Sequence, residues 1–382
     1  MGRGAENDFF NQLENSDLTC MYLTTSVESI QKHILNLNDG RGHDLIHSKF
    51  LKNAGTDYLE ILVKLLNACF SHGFFPRNLL HGVITPVLKN SSANSTDSDS
   101  YRPIMQSSCI LKLAEMCILY VLDSRIPLNT RQCGYTKNVS AADPTLLLKE
   151  TVYKYCVEKK FVAFALFVDL SKAFDRVNHL KLGNILLKKR VPPDVIWIIL
   201  SYLGSQTARV KWGKVLGDVG PMGRGVRQGG ILSAAIFKIY IDDILNEISA
   251  MDEGCMLNYF KINILAYADD MVLLAPTLGA LDRLYRRFSH LLVDLDMLIN
   301  RNKSKVIVFS RTSAYRNYLP NVLLGGEEFE VVTSYKYLGH FITHNLNDDV
   351  DTEFRLKTFR IRFLTLQRKF LNFFIRYFFI FV

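Results

Sequence analysis

The 382-residue chain has no Cys-x-x-Cys pair, and its seven cysteines are scattered and odd in number. That usage excludes a zinc knuckle and a disulfide framework, and it points to a reducing, intracellular setting, nuclear or cytoplasmic. The N-terminus is polar and lacks the apolar segment of a secretory leader. No apolar run is long and unbroken enough to span a bilayer, no internal repeat is visible, and no dense basic localisation cluster stands out. The stretch Gly220–Gly230 also fails as a phosphate loop. The third glycine of a dinucleotide fingerprint would fall at Gln228, and no Lys-Ser/Thr ending follows. What remains is 48% hydrophobic residues and a net charge of +9. Such a chain can bury a large core in two or three subdomains, and its charge suits a polyanionic partner.

Carboxylates placed against apolar runs carry the chemistry. Asp269 and Asp270 interrupt the run 264–275, which is otherwise apolar. Charge set against a hydrophobic core costs several kcal/mol unless it is neutralised. One reading is a β-hairpin whose tip presents both acids to a divalent cation; the other is a polar turn capping two buried strands. A second run, Phe161–Val168, has the composition of a buried strand and ends on Asp169. If the two segments pair, three hard oxygen ligands converge, the setting for two-metal nucleotidyl transfer. Asp242-Asp243, by contrast, falls among Ile236, Tyr240, Ile244 and Ile248 at helical spacing, which predicts a solvated helix face for the two acids.

Seven segments in this order resemble reverse transcriptases, most of all those of non-LTR (LINE-type) retrotransposons, over roughly residues 30–345. They are Ile84-Thr-Pro-Val-Leu-Lys89, Tyr101-Arg-Pro-Ile104, Phe167-Val-Asp-Leu-Ser-Lys-Ala-Phe-Asp-Arg-Val177, Gly225-Val-Arg-Gln-Gly-Gly-Ile-Leu-Ser233, Tyr267-Ala-Asp-Asp270, Asn302-Lys-Ser-Lys305 and Tyr337-Leu-Gly339. The resemblance implies that Asp169, Asp269 and Asp270 are catalytic metal ligands for two Mg²⁺ ions, with Mn²⁺ as a substitute. It matches Lys89 and Arg102 to cations holding the triphosphate, although lone basic residues are more often solvated. A guanidinium fork suits phosphate oxygens. Phe174 matches an aromatic gate that excludes a 2′-hydroxyl, and would otherwise be an ordinary core phenylalanine. Gln228 and Gly229 match the incoming-nucleotide contact, where glycine lets the backbone approach a base pair closely. Gly225, Arg227, Tyr337, Leu338 and Gly339 match template and primer contacts. Lys303 matches a proton donor to pyrophosphate, with Lys305 an equal candidate.

The chain departs from the family pattern at Ala234, where proline is usual, and at Met105-Gln106, where Ser-Leu is usual. Gln132-Cys-Gly-Tyr-Thr-Lys137 is a variant of a more aromatic pattern. None of these removes a metal ligand. The implied fold is α+β: a right-hand polymerase with fingers and palm, the palm an antiparallel sheet backed by helices, and the thumb truncated or absent. The expected divisions are an N-terminal extension over 1–55, fingers over 56–160, palm over 161–345 and a partial thumb or truncated tail over 346–382, with the catalytic core about 80–345. Neither an endonuclease nor a long tail fits these divisions.

The implied partners are an RNA template, a DNA primer and deoxynucleotides, and the implied activity is RNA-directed DNA synthesis. A catalytically inactive, nucleic-acid-binding remnant is the alternative; an RNA polymerase or nucleotide cyclase is opposed by Phe174.

Helical spacing predicts helices over Asp57–Phe70, Cys109–Val121, Val195–Leu203, Ala235–Ile248 and Leu278–Ile299. Leu59, Leu62, Leu65 and Leu66 are the expected core positions of the first, and Leu281 through Leu298 those of the last. Ser233 is the expected N-cap of the helix after the glycine-rich motif. Asn90–Ser100 reads as a loop between two strands. Arg360–Val382 mixes arginine with phenylalanine and reads as a thumb helix, a membrane-surface helix or sequence beyond a truncation.

Overall fold

In the computed structural model, which describes residues 3–89, 94–310 and 321–378, the run ending on Asp169 is the strand Ala163–Asp169. Six consecutive buried residues precede the aspartate, which is the first to emerge. Side chains of a strand alternate between faces. Ala163, Ala165 and Phe167 enter one cluster with Leu148, Val152, Val272, Leu274, Ile307 and Phe309. Phe164, Leu166 and Val168, on the other face, are buried as well. The strand is therefore covered on both sides, which explains its unbroken apolar sequence.

Two compact units are present, each assembled from three stretches of chain. One comprises Thr136–Asp169, Ile248–Ser289 and Ile299–Val382. Its centre is a four-stranded antiparallel sheet in the order Lys305–Phe309, Ala163–Asp169, Asp270–Ala275, Ile264–Tyr267. The last two strands form a hairpin, and Leu281, Leu284 and Phe288 of the helix Leu278–Asp294 are fully buried. That helix stops earlier than its apolar spacing suggested. Leu298 lies beyond it and is 48% exposed, so the expected core stripe ends before it.

This unit also contains the long helix Asp349–Phe378, with Asp349 and Asp351 in its first turn where acids favour the helix dipole. Among the described residues no helix is long and apolar enough to cross a membrane. Residues 379–382, and the side chains of 371–378 that belong to the Phe/Arg-rich tail, lie outside the described residues.

The other unit comprises Met1–Tyr135, Leu170–Glu247 and His290–Leu298. Its sheet runs Tyr101–Gln106, His81–Leu88, Thr207–Trp212, Val215–Leu216, with Gly220–Pro221 also on Thr207–Trp212. The first two strands pair antiparallel and the connecting stretch falls where the sequence placed a loop, of which residues 90–93 lie outside the described residues. Helices Thr56–His72, Cys109–Arg125, Pro193–Gly204 and Ile231–Ala250 contain four of the predicted spans. Leu59, Leu62 and Leu66 are buried as expected, but Leu65 is 39% exposed, since four leucines in one helical stretch cover more arc than the buried face.

Asp242 departs from expectation more sharply. It is 1% exposed, not solvated. Its carboxylate accepts from the Asn129 backbone N–H at 2.7 Å, from Lys189 Nζ at 2.6 Å and from Asn246 Nδ2 at 3.1 Å. Asp243 shares the Lys189 ammonium at 3.1 Å. Burial works against the charge of Asp243, but the bonds and charges of Lys189 and Lys188 outweigh it and hold the carboxyl below its usual range. The doublet at 242–243 is a structural ion network.

Candidate active site

The carboxylates meet through strand register. Asp270 opens the strand Asp270–Ala275 and is the register partner of Asp169, the last residue of the neighbouring antiparallel strand. Partners directly opposite in such a ladder have Cα atoms roughly 5 Å apart and side chains on the same face. Two like charges in that arrangement destabilise the sheet unless a cation lies between them. Asp269 occupies the turn between Tyr267 and Asp270, after Ala268, whose φ of +58° is left-handed. A residue with a Cβ resists that conformation by about 1–2 kcal/mol. Strain of this kind concentrates at functional turns.

A third segment is tied to Asp169. The Asn300 N–H donates to the Asp169 carbonyl at 2.8 Å, and the Asp169 N–H donates to Ser304 Oγ at 3.1 Å. The turn between them therefore carries Lys303 to the site, with Nζ 3.9 Å from Asp169 Oδ2. Lys305 instead pairs with Glu330 at 2.5 Å, which separates the two lysine candidates. Tyr335, not singled out by sequence, stacks on Phe167 with ring centroids 4.6 Å apart and donates to the Lys303 carbonyl at 3.3 Å. Burial, and then the charges of Asp169 and Asp270, push its phenol up to about 12, so it stays a neutral donor.

The donor set suits a hard divalent cation. Among the described residues no three His, Cys, Asp or Glu side chains are gathered tightly enough to form a ready-made metal cage. Mg²⁺ does not require one. It keeps several waters and is commonly bound by one or two carboxylates together with substrate phosphates. The opposed pair Asp169 and Asp270, with Asp269 next in the turn, fits that mode.

Tyr337 is placed differently from its expected role. It is 2% exposed and its ring lies 5.5 Å from that of Phe167, in the core cluster. The ring offers no surface to template or primer, which corrects the role taken from the motif. Leu338 and Gly339, both with positive φ, form the two-residue turn of the hairpin Ser334–Tyr337 with His340–Thr343.

The other unit holds the remaining nominated residues. Arg102 and Lys89 are exposed; Arg102 pairs in register with Val87, and Lys89 Nζ donates to the Asp99 carbonyl at 2.6 Å. Phe174 opens a short 3-10 turn and is half-buried, stacked on Phe237 at 4.8 Å with a 16° interplanar angle.

The glycine-rich loop is pinned to that turn. Gly225 donates to the Val177 carbonyl and Val226 to that of Phe174, each at 2.9 Å. Gly225 has φ +83°, and a Cβ there would stand 2.7 Å from Asp175 Cα, so only glycine fits. The Gln228 carbonyl accepts from the Met105 N–H at 2.9 Å, while its side chain hydrogen-bonds Asp175. Gly229, at φ +105°, sits with its would-be Cβ 3.3 Å from the Met105 carbonyl. Gln228 and Gly229 thus lie against the strand that carries Arg102, and Phe174 is tied to the same loop through Val226.

Arg227 is not among the exposed contacts. It is 1% exposed, lies over the Tyr202 ring at 5.6 Å and donates from Nη2 to the Leu80 carbonyl. A buried guanidinium cannot grip a phosphate backbone, so the template or primer role is corrected to a packing one. Ser233 is likewise inside the helix Ile231–Ala250, whose first N–H groups are capped by the Glu115 carboxylate.

Comparison with known proteins shows the family of the chain. The family profile described as "Reverse transcriptase (RNA-dependent DNA polymerase)" matches residues 87–342. The chain is 26% identical over 354 residues to the RNA-directed DNA polymerase from mobile element jockey of Drosophila melanogaster, covering 87% of this chain and 37% of that protein. It is 29% identical over 222 residues to the Pol polyprotein from a type-1 R2 retrotransposable element of Nasonia vitripennis, covering 57% of this chain and 21% of that protein. The chain therefore spans little more than a third of the first of these relatives and about a fifth of the second. Among solved structures, apo telomerase from Candida tropicalis, truncated from its C-terminal domain, aligns at a TM-score of 0.47 with 14% identity over 76% of this chain and 60% of that one.

Proposed function

For a chain that belongs to the reverse transcriptase (RNA-dependent DNA polymerase) family, we propose RNA-directed DNA synthesis: extension of a DNA primer with deoxynucleotides along an RNA template. The observation that carries this reading is the register pairing of Asp169 with Asp270. Net charge of +9 in spite of an acidic site favours a nucleic-acid partner. In this reading residues 56–160 supply fingers, 161–345 the palm and 346–382 part of a thumb.

Asp169 and Asp270, with Asp269, would hold divalent cations, Mg²⁺ or Mn²⁺. When bound, such cations supply Lewis acidity at the attacking hydroxyl and the leaving phosphates. The remaining roles fall to side chains. The Lys303 ammonium, held by the turn anchored to Asp169, gives a proton to the departing pyrophosphate. Arg102 and Lys89 orient the triphosphate. Phe174, braced flat by Phe237, leaves no room for a 2′-hydroxyl. Gln228 and Gly229 line the incoming nucleotide, and the Leu338–Gly339 turn meets the primer.

Primer extension on poly(rA)/oligo(dT), compared between the wild-type chain and Asp269→Asn, tests the reading. Mg²⁺-dependent extension that Asp269→Asn abolishes is expected. A chain that binds the template–primer without extending it, or extension indifferent to Asp269→Asn, overturns the proposal in favour of a non-catalytic binder.

A further inference from the structure

A buried carboxylate beside the glycine-rich loop has no part in the proposed function. Glu115, on the helix Cys109–Arg125, is fully buried. Its Oε1 accepts from the Tyr202 hydroxyl at 2.6 Å. Its Oε2 accepts from the backbone N–H groups of Ile231 at 2.7 Å and Leu232 at 3.3 Å. An isolated buried carboxylate is costly, so three donors and the positive end of a 20-residue helix are what make it tolerable. Tyr202 in turn lies beneath the buried Arg227 guanidinium. Burial, and then the Glu115 charge, keep the Tyr202 phenol well above its ordinary range, so it remains a donor.

Only Gln228, Gly229 and Gly230 separate Arg227 from Ile231. Both ends of that tripeptide are therefore tied to one buried network. Its first residue is fixed a third way, through the bond from Met105 N–H to the Gln228 carbonyl. Gly229 and Gly230 have no side chains to hold their own conformation, and glycine is the residue whose backbone most needs outside restraint. Ser233, the local candidate for capping, lies too far inside the helix to do this work.

We propose that Glu115 is a positioning residue for nucleotide binding: by capping the helix Ile231–Ala250 and engaging Tyr202, it sets Gln228 and Gly229 against the strand bearing Arg102. The proposal rests on the polymerase reading. It assigns Glu115 and Tyr202 no contact with substrate.

Three variants test it. Glu115→Met keeps the length and apolar bulk but accepts no hydrogen bond. Glu115→Gln keeps one acceptor for the helix and loses the charge. Tyr202→Phe frees one carboxylate oxygen. Equilibrium binding of a fluorescent dNTP to the chain on primer–template, in Ca²⁺ so that no turnover occurs, gives the Kd for nucleotide. Primer extension gives KM and kcat.

Nucleotide Kd and KM should rise about 10–100-fold in Glu115→Met and about 3–10-fold in the other two. The Kd for primer–template should stay at the wild-type value, and kcat per active site should move by less than about 3-fold. A fold-wide structural role would instead lower the active fraction and leave nucleotide affinity alone, and that result overturns the proposal. If Glu115→Met does not fold, unchanged nucleotide Kd in both Glu115→Gln and Tyr202→Phe overturns it. A wild-type chain that binds dNTP but never extends a primer would sink the polymerase reading only, and the Kd ratios would still decide this one.

Discussion

Asp169→Asn and Asp270→Asn, made separately, should each reduce Mg²⁺-dependent primer extension by on the order of 10³-fold. The double variant should be hardly worse than either single one. The two residues are register partners on adjacent antiparallel strands, so their carboxylates face one volume and, in the proposed reading, would hold one cation in common. Groups that work as a unit lose their function at the first deletion, and a second removes little more. Folding should survive all three changes. Asparagine has the same shape, and removing one of two opposed like charges relieves repulsion in the sheet. Single-turnover rates on a common primer–template, with melting curves as the control, make the measurement. Additive losses, with the double variant near 10⁶-fold down, would mean the two carboxylates act independently and would contradict a shared ion.

Phe174→Ala should change which sugar is accepted more than how fast a deoxynucleotide is added. The ring is half-buried and lies nearly parallel to Phe237 at 4.8 Å, a brace that in the proposed reading would hold it against a bulkier sugar. Removing it opens space for a 2′-hydroxyl, and the preference for dNTP over rNTP should fall by roughly 10–100-fold, the range expected for a steric gate of this size. The kcat/KM ratio for dTTP against UTP on poly(rA)/oligo(dT) reads this directly. An unchanged ratio in a well-folded variant would return Phe174 to the role of a packing residue stacked on the helix Ile231–Ala250.

The sequence was most legible where one strand's own composition decides its fate. Ala163–Val168 is apolar throughout because the strand is buried on both faces, and the charge that ends it had to emerge somewhere; Phe161, at the start of the expected run, lies before the strand and is exposed. The hairpin at 264–275 was legible for the same reason. What could not be read was anything set by partners distant in the chain. Asp242 looked solvated because the apolar residues of its own helix mark out another face; the ammonium and the backbone donor that bury it, from Lys189 and Asn129, lie 53 and 113 residues away. Ser233 looked like a cap because local rules search within the turn, whereas the acceptor is Glu115, 116 residues earlier. Tyr335 and Tyr337 share one hairpin strand and both rings approach Phe167, and the Tyr335 hydroxyl reaches the Lys303 turn. Motif position alone assigned Tyr337 to nucleic acid, and burial reassigns it.

Affinity cleavage tests the shared cation most directly. With Fe²⁺ in place of Mg²⁺, and ascorbate and peroxide added, backbone cuts are predicted next to Asp169 and next to Asp269–Asp270 together, and both sets should vanish in Asp270→Asn. Cuts confined to one of the two strands, or a pattern that Asp270→Asn leaves intact, would contradict a common metal site.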